Sequence, residues 1–495
     1  MYAIVLLGAL LLYVLTCAPT VLWQDSGLLI YRIWNNDLQG NLGLAVAHPL
    51  YILIGIAVKC IPFGELAWKI NLISAFCGAV AVANLFLLVK FWLESIWPAV
   101  IGAITLAVSW TFWQHAVIAE VYTLFAAQMF GELLLLLLFL RSQRLRYVYM
   151  LALLNGLAIA NHLWALFALI CYIVLFIVLI YRKKIGLKHF IFFILLWMIG
   201  ASVYEYLIIS NIISSGRVQT TLASAFFGTR WRQNVLNTSV STKIVLENII
   251  FILLNFPTPN FILLFVGLFT VRKASLPTGF SNVILALLIL HFTFAFRYNV
   301  PDRYAFFLPF YCLAALLIAV GSDFLLKRSN SRPLLLTILV LALLPIPVYY
   351  FTPALAKNIY KPLEQRRQRP YRDEYVYFLQ PWKTGYRGVE QFAKEALDAV
   401  EENAVIYADT TTVHALLYMQ QVRGKRKDVR IVSDYDKSEN ASVLTEKNAG
   451  AFMNNSALYV VSPVDGYCPA FLLEQYDFIK KGVIWKAVKK KNAFQ

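Results

Sequence analysis

Apolar runs of about twenty residues, broken by short polar or basic stretches, recur through the first 350 positions. A helix rising 1.5 Å per residue needs roughly 20 such residues to cross the ~30 Å hydrocarbon core. The runs predict eleven spans, at about 3–22, 67–90, 97–113, 121–140, 147–163, 164–181, 189–210, 246–270, 280–297, 304–322 and 333–350. The first, Tyr2 to Leu22, has no basic n-region and no small-x-small cleavage site, so it reads as a retained helix. The stretch from His48 to Phe63 is shorter and carries Lys59 and two prolines. It is expected to be a half-buried helix inside a first external loop, residues 24–66.

Past the last span the pattern changes. Residues 351–387 form a Pro/Arg/Tyr-rich connection. Val389, Phe392, Ala393, Ala396, Leu397 and Val400 then recur at helical spacing, followed by a strand at Ala404–Ala408, a helix over 411–422 and strands at Val429–Ser433 and Ala457–Ser462. The fold class expected is mainly α: a polytopic membrane helix bundle (1–350) with a C-terminal extracytoplasmic α/β domain (388–495).

Composition agrees. Hydrophobic residues make up 60% and charged residues 14% of the 495, where a soluble globule carries about 25% charged. The net charge of +17 is spread along the chain: residues 1–350 hold 22 Lys/Arg against 10 Asp/Glu, and 351–495 hold 22 against 17. With no basic cluster on a soluble surface, the expected partner is the bilayer and not nucleic acid.

One set of loops holds Lys90, Arg141, Arg144, Arg146, Arg182, Lys183, Lys184, Lys188, Arg272, Lys273, Lys327, Arg328 and Arg332, opposed only by Glu94 and Asp323. The positive-inside rule makes that side cytoplasmic. An odd span count then places the N-terminus inside and everything after Tyr349 outside the cytoplasmic (inner) membrane. The six cysteines show no metal spacing and imply no disulfide framework, so they read as packing residues.

The same topology sorts other polar residues. Asp25, His48, His115, Glu120, Asn161, His162, Arg230, Arg232, Arg297, Asp302 and Arg303 all fall at the external side. Convergent acids, histidines and arginines at one membrane surface describe an interfacial active site. Asp25 is the candidate catalytic base, since activating an acceptor hydroxyl needs a carboxylate within hydrogen-bond reach; capping the helix that follows is the bland alternative. Glu120 and His48 could equally cap helix starts, and His162 could be an interfacial histidine beside Trp164. Arg297 and Arg303, with Arg230 and Arg232, offer guanidinium forks for a phosphate at the membrane surface; snorkelling and an Arg–Asp pair are the alternatives. Glu132 and Glu205, inside spans, are expected to hydrogen-bond between helices. No phosphate-binding P-loop, G-x-G-x-x-G, zinc signature or G-x-S-x-G is present.

At these residues the chain resembles integral membrane glycosyltransferases of the GT-C class. It is similar to bacterial relatives of the eukaryotic endoplasmic-reticulum protein O-mannosyltransferases. Ala18-Pro19-Thr20, Asp25-Ser26-Gly27 and Ala47-His48-Pro49-Leu50-Tyr51 match that family's opening motifs. Ser109-Trp110-Thr111-Phe112-Trp113-Gln114 with Ala119-Glu120-Val121-Tyr122, then Asn161-His162, resemble later blocks. In the soluble domain, Ala408-Asp409-Thr410 and Tyr418-Met419-Gln420-Gln421-Val422 through Arg430 are similar to a segment of bacterial members. Leu28 stands where the family has a glutamate, and the insert after His48 is shortened to Pro49-Leu50, so substrate identity is not carried over.

The resemblance implies a polyprenyl-phosphate-linked sugar donor, an acceptor hydroxyl on a protein or glycolipid at the extracytoplasmic side, and inversion at the anomeric carbon. No cofactor is expected if the arginines stabilise the leaving phosphate; some members of the class use a divalent cation. A lipid or solute transporter, the rival reading, would show charges deep in several spans and inverted repeats. A scaffold with an inactive membrane part would make Asp25 dispensable. The topology predicts that a reporter active only in the cytoplasm, fused after Gln495, stays silent; strong reporter activity would contradict it.

Overall fold

The computed structural model describes residues 1–229, 231–274, 278–359, 368–433, 444–453 and 456–490. Helices fall on all eleven stretches where the apolar runs predict spans. Five are long and apolar enough to cross a membrane: Leu66–Leu93, Tyr122–Ser142, Leu187–Ser215, Gly279–Arg297 and Leu308–Ser329. Three more candidate spans are bent pairs: Ile96–Ala107 with Trp110–Ala116, Thr242–Asn255 with Pro259–Lys273, and Arg332–Leu343 with Pro345–Ile359. Shorter apolar helices, Tyr2–Thr16, Leu145–Asn161 and Ala165–Tyr181, occupy the remaining three positions.

Pro49–Lys59 is the half-buried helix expected in the first loop, with Tyr51 and Ile52 inward and Lys59 held by the Ile33 and Trp34 carbonyls at 3.0 Å each. Its start follows from local chemistry: His48 takes a left-handed conformation (φ 49°, ψ 46°) and Pro49 fills the first turn, where a missing N–H costs nothing. Several boundaries differ from expectation. The first helix stops at Thr16, short of residue 22, Leu308–Ser329 runs past 322, and the last helix runs on to Ile359, past residue 350, with Pro353 inside it.

Small residues let the helices approach. A Cβ on Gly156 would sit 2.2 Å from the Trp197 carbonyl oxygen, and one on Gly200 2.3 Å from that of Leu153. Glycine at both points therefore permits the close crossing of Leu145–Asn161 and Leu187–Ser215. Glu132 lies beside that crossing. Its carboxyl accepts from Asn155 Nδ2 and the Tyr172 hydroxyl at 3.1 Å each, and Trp197 Nε1 donates to Asn155 Oδ1 at 3.0 Å. This is the interhelical bonding expected of Glu132. Glu205 departs from that expectation: it is half-buried and has no hydrogen-bond partner among the described residues.

The C-terminal domain carries a five-stranded sheet in the order β2-β1-β3-β5-β4. β1 (Val405–Tyr407), β2 (Arg430–Val432) and β3 (Leu458–Val460) are parallel, with Val405 opposite both Arg430 and Leu458. β4 (Tyr476–Lys481) and β5 (Ile484–Lys489) form an antiparallel hairpin whose second strand joins β3. The Gly388–Asp398 helix packs Val389, Phe392 and Leu397 into the core. The 351–387 connection and the domain both sit directly on the helix bundle. Trp23 Nε1 donates to the Tyr386 hydroxyl at 2.9 Å, Trp110 Nε1 to the Phe378 carbonyl at 3.0 Å, and the Lys383 N–H to the Thr16 carbonyl at 2.9 Å. Arg423 adds an ion pair to Glu65 at 3.0 Å.

Candidate active site

Between helix ends and the first loop lies a cavity of ≈ 370 Å³. Asp25 borders it from the first residue of the Asp25–Trp34 helix, and Arg32 borders it from the same helix. Seven residues are close to two full turns, so the two side chains share a face. Arg32 is buried, and its Nη2 donates to the Leu38 carbonyl at 2.9 Å and the Ala47 carbonyl at 2.8 Å, which ties the following loop back onto the helix.

Glu120 is placed through its backbone. Ser74 Oγ on the Leu66–Leu93 helix accepts the Glu120 N–H and donates to its carbonyl, both at 3.0 Å. Arg297 and Asp302 close the opposite wall from either end of the turn that follows the Thr278–Arg297 helix. Arg297 Nη1 donates to the Val235 and Asn237 carbonyls at 2.7 and 2.6 Å and so fastens the 231–241 segment, whose Trp231 and Leu236 also line the space.

Three carboxyl groups around one cavity cannot all ionise freely. The exposed surface of Asp25 faces the cavity, and removal from bulk water, then the charge of Asp302, pushes its carboxyl up to about 7. Burial holds Glu120 well above the usual carboxylate range, and the charges of Asp25 and Asp302 add to it. Burial also raises Asp302. Burial and its acidic neighbours thus bias Glu120 toward its neutral form, and Asp25, which titrates nearer neutrality, is the carboxyl poised to accept a proton.

His48 Nδ1 donates to the Asn161 carbonyl at 2.6 Å, which leaves Nε2 as an acceptor. Burial pushes this imidazole down to about 4, with Arg32 adding to the effect, so it is neutral. His162 stacks on it at 5.1 Å and 28°, and its Nδ1 accepts the Trp164 N–H at 3.2 Å. Its Nε2 is then the donor of the neutral ring. One imidazole offers an acceptor and its neighbour a donor, beside an aromatic wall in which Tyr122 and Trp164 stack at 5.3 Å and 23°. Among the described residues, no three His, Cys, Asp or Glu side chains form a group that could hold a metal ion.

Residues 41–185 match the family model described as the protein O-mannosyl-transferase TMEM260 N-terminal domain. Over the whole chain the structure is similar to ArnT from Cupriavidus metallidurans bound to undecaprenyl phosphate. That likeness has a TM-score of 0.63 at 13% identity, covering 99% of this chain and 98% of that one. It is also similar to the Archaeoglobus fulgidus oligosaccharyltransferase AglB, in complex with an inhibitory peptide and a dolichol-phosphate. There the TM-score is 0.53 at 12% identity, over 100% of this chain and 75% of the other. The chain has the GT-C glycosyltransferase fold.

Within that fold, the sequence candidates divide. Asp25, His48, Glu120, His162, Arg297 and Asp302 line one cavity. His115 and Asn161 stand just behind it: His115 packs on Tyr122 at 5.0 Å, and Asn161 supplies the carbonyl that orients His48. Arg232 is exposed and away from the lining, and Arg230 lies outside the described residues. Arg303, expected at a phosphate, is instead buried behind the wall, its fork committed to Glu247 and, at 2.8 Å, to Asn248 Oδ1.

Sequence reasoning passed over Arg32, Tyr122, Trp164 and Phe306, all of which line the cavity. The seven-residue interval from Asp25 could have found Arg32. The aromatics carry no such signal in a chain that is 15% aromatic. Because the Arg303 pair is structural, Arg303→Ala leaves Asn248 and the partly exposed Glu247 without that guanidinium and should destabilise the fold by about 1–3 kcal/mol. Arg232→Ala should be neutral to within about 0.5 kcal/mol. Thermal unfolding of the detergent-solubilised protein measures both, and equal melting temperatures for wild type and Arg303→Ala would contradict the assignment.

Proposed function

We propose that this protein transfers a sugar from a polyprenyl-phosphate-linked donor to an acceptor hydroxyl on the extracytoplasmic face, with Asp25 as general base. The observation that carries the reading is the cavity itself. It gathers a carboxyl poised near neutrality, a second carboxyl biased toward its neutral form and a guanidinium around one space, a set that suits a phosphate-linked donor. A lipid-phosphate donor is supported by the two similar folds, one bound to undecaprenyl phosphate and the other in complex with a dolichol-phosphate. Transfer of mannose to a protein hydroxyl is the finer reading, and the match of residues 41–185 supports it.

In this scheme the Asp25 carboxylate takes the acceptor proton as the acceptor oxygen bonds to the anomeric carbon. The bond from that carbon to the phosphate oxygen breaks on the opposite face, which inverts the centre. Negative charge grows on the departing phosphate. The guanidinium of Arg297, and the Glu120 carboxyl in its protonated form, offer donors to it, and such preoriented donors act most strongly where water is scarce. The His48 and His162 pair and the Trp164 wall offer an acceptor, a donor and a stacking face to a sugar ring.

Asp25→Asn keeps the size of the side chain and removes its basicity. Turnover at saturating undecaprenyl-phosphate mannose should fall by about 10²–10⁴-fold while binding of undecaprenyl phosphate is unchanged. Arg297→Ala should weaken that binding about tenfold or more, as loss of a charge-assisted hydrogen bond does. Wild-type turnover in Asp25→Asn would remove it as the base. Mass spectrometry of glycoproteins and glycolipids from a deletion strain should show loss of hexose from proteins; loss from glycolipids alone would move the acceptor there.

A further inference from the structure

The Asp25–Trp34 helix has two working faces. Asp25, Leu28, Leu29 and Arg32 look into the cavity. Gln24, Gly27 and Tyr31, spaced three and four apart and so on another face, meet the C-terminal domain. The Gln24 N–H donates to the Thr411 carbonyl at 3.2 Å. A Cβ on Gly27 would stand 3.2 Å from the His414 Cβ and 2.8 Å from the Leu22 carbonyl, so glycine allows the helix to lie directly against the domain. The Tyr31 ring lies 5.8 Å from that of His414, and Gln421 Nε2 donates to the Tyr31 hydroxyl at 3.2 Å.

The first contact is the most constrained. Gln24 has φ 58° and ψ −132°, a conformation that residues other than glycine rarely adopt, immediately before Asp25. The turn it meets follows β1, the strand between the parallel neighbours β2 and β3. In open α/β sheets the crevice at such a switch point takes a ligand; here it takes the N-terminus of the Asp25 helix. Asp409 builds that turn. Its Oδ1 accepts the Thr411 N–H at 2.8 Å, its Oδ2 the Thr412 hydroxyl at 3.3 Å, and its carbonyl the N–H groups of Thr412 and Val413 at 3.0 Å each. Arg369 Nη2 fixes the Thr411 hydroxyl from outside at 2.8 Å.

We infer that Asp409 of the C-terminal domain is a positioning residue for Asp25, acting through the 409–412 turn that holds Gln24. The domain thereby sets the direction of a side chain 384 positions earlier in the chain. The inference rests on the reading of Asp25 as the base. A displacement of about 1 Å there costs roughly 10²-fold in rate while contacts to the donor elsewhere persist.

The test uses full-length protein in proteoliposomes, with undecaprenyl-phosphate mannose as donor and a protein extract of the deletion strain as acceptor. Asp409→Ala should lower kcat by about 10²-fold, leave the donor KM within about twofold, and speed hydrogen–deuterium exchange of the 24–34 peptide. Asp409→Asn, which keeps the Oδ1 acceptor, should restore most of kcat. A folded Asp409→Ala with wild-type kcat and unchanged exchange overturns the inference, as does a loss confined to KM. If Asp409→Ala does not fold, Gln24 decides. Gln24→Pro removes the N–H and forbids positive φ, so it should reproduce the kcat loss; Gln24→Gly keeps both and should not. Wild-type kcat in Gln24→Pro overturns the inference. If Asp25→Asn itself keeps full turnover, the base assignment fails separately, and unchanged exchange at 24–34 in Asp409→Ala still overturns the clamp.

Discussion

Withholding bulk water from a group of carboxyls around one cavity is the constraint on which the rest of this structure depends. An isolated carboxylate in hydrocarbon costs several kcal/mol and is avoided. A carboxyl beside a cavity, enclosed by protein and close to other acids, instead shifts toward its neutral form. The fold maintains that state by making Asp25, Glu120 and Asp302 share one space. Each is placed by a different part of the chain: a first-loop helix, a backbone held by Ser74, and the turn after Arg297.

The cations are divided by the same logic. Arg297 borders the cavity and also fastens the segment that closes it. Arg303, six residues on, is deeper and is neutralised by Glu247, so it holds the wall without facing the space. Arg32 ties the Asp25 helix to the loop that carries His48. Bidentate donors serve both kinds of role, which is why counting arginines at a membrane face does not separate binding from bracing.

Most of the architecture was legible in the sequence because apolar run length is set by bilayer thickness. All eleven predicted stretches are helical, and Val405–Tyr407, Arg430–Val432 and Leu458–Val460 lie inside predicted strands. The β4–β5 hairpin was not foreseen: Tyr476–Lys481 and Ile484–Lys489 are rich in lysine, and their pairing partners, each other and β3, are not written in local pattern. That Asp25, His48, Glu120, His162, Arg297 and Asp302 gather at one place followed from sorting the loops by charge. Depth did not. Nothing in the Arg-Tyr-Asn-Val-Pro-Asp-Arg run from Arg297 to Arg303 says which arginine faces the cavity, since that depends on Glu247 and Asn248 some fifty residues earlier. Nor did the sequence reveal that the C-terminal domain grips the helix bearing Asp25, because those contacts join residues nearly four hundred positions apart.

The central claim is that Asp25 acts as a base whose protonation is governed by enclosure and by Asp302. The pH dependence of kcat/KM tests it most directly, since that parameter reports the ionisations of the free enzyme. A base must be deprotonated to act, so with the Asp25 carboxyl pushed up to about 7, kcat/KM should rise as pH increases through that value and level off above it. Asp302→Asn removes the neighbouring charge and should move the rising limb to lower pH, without returning it to that of a solvated aspartate, because burial remains the larger cause. A profile flat from pH 5.5 to 8.5, or a limb unmoved by Asp302→Asn, would contradict the claim.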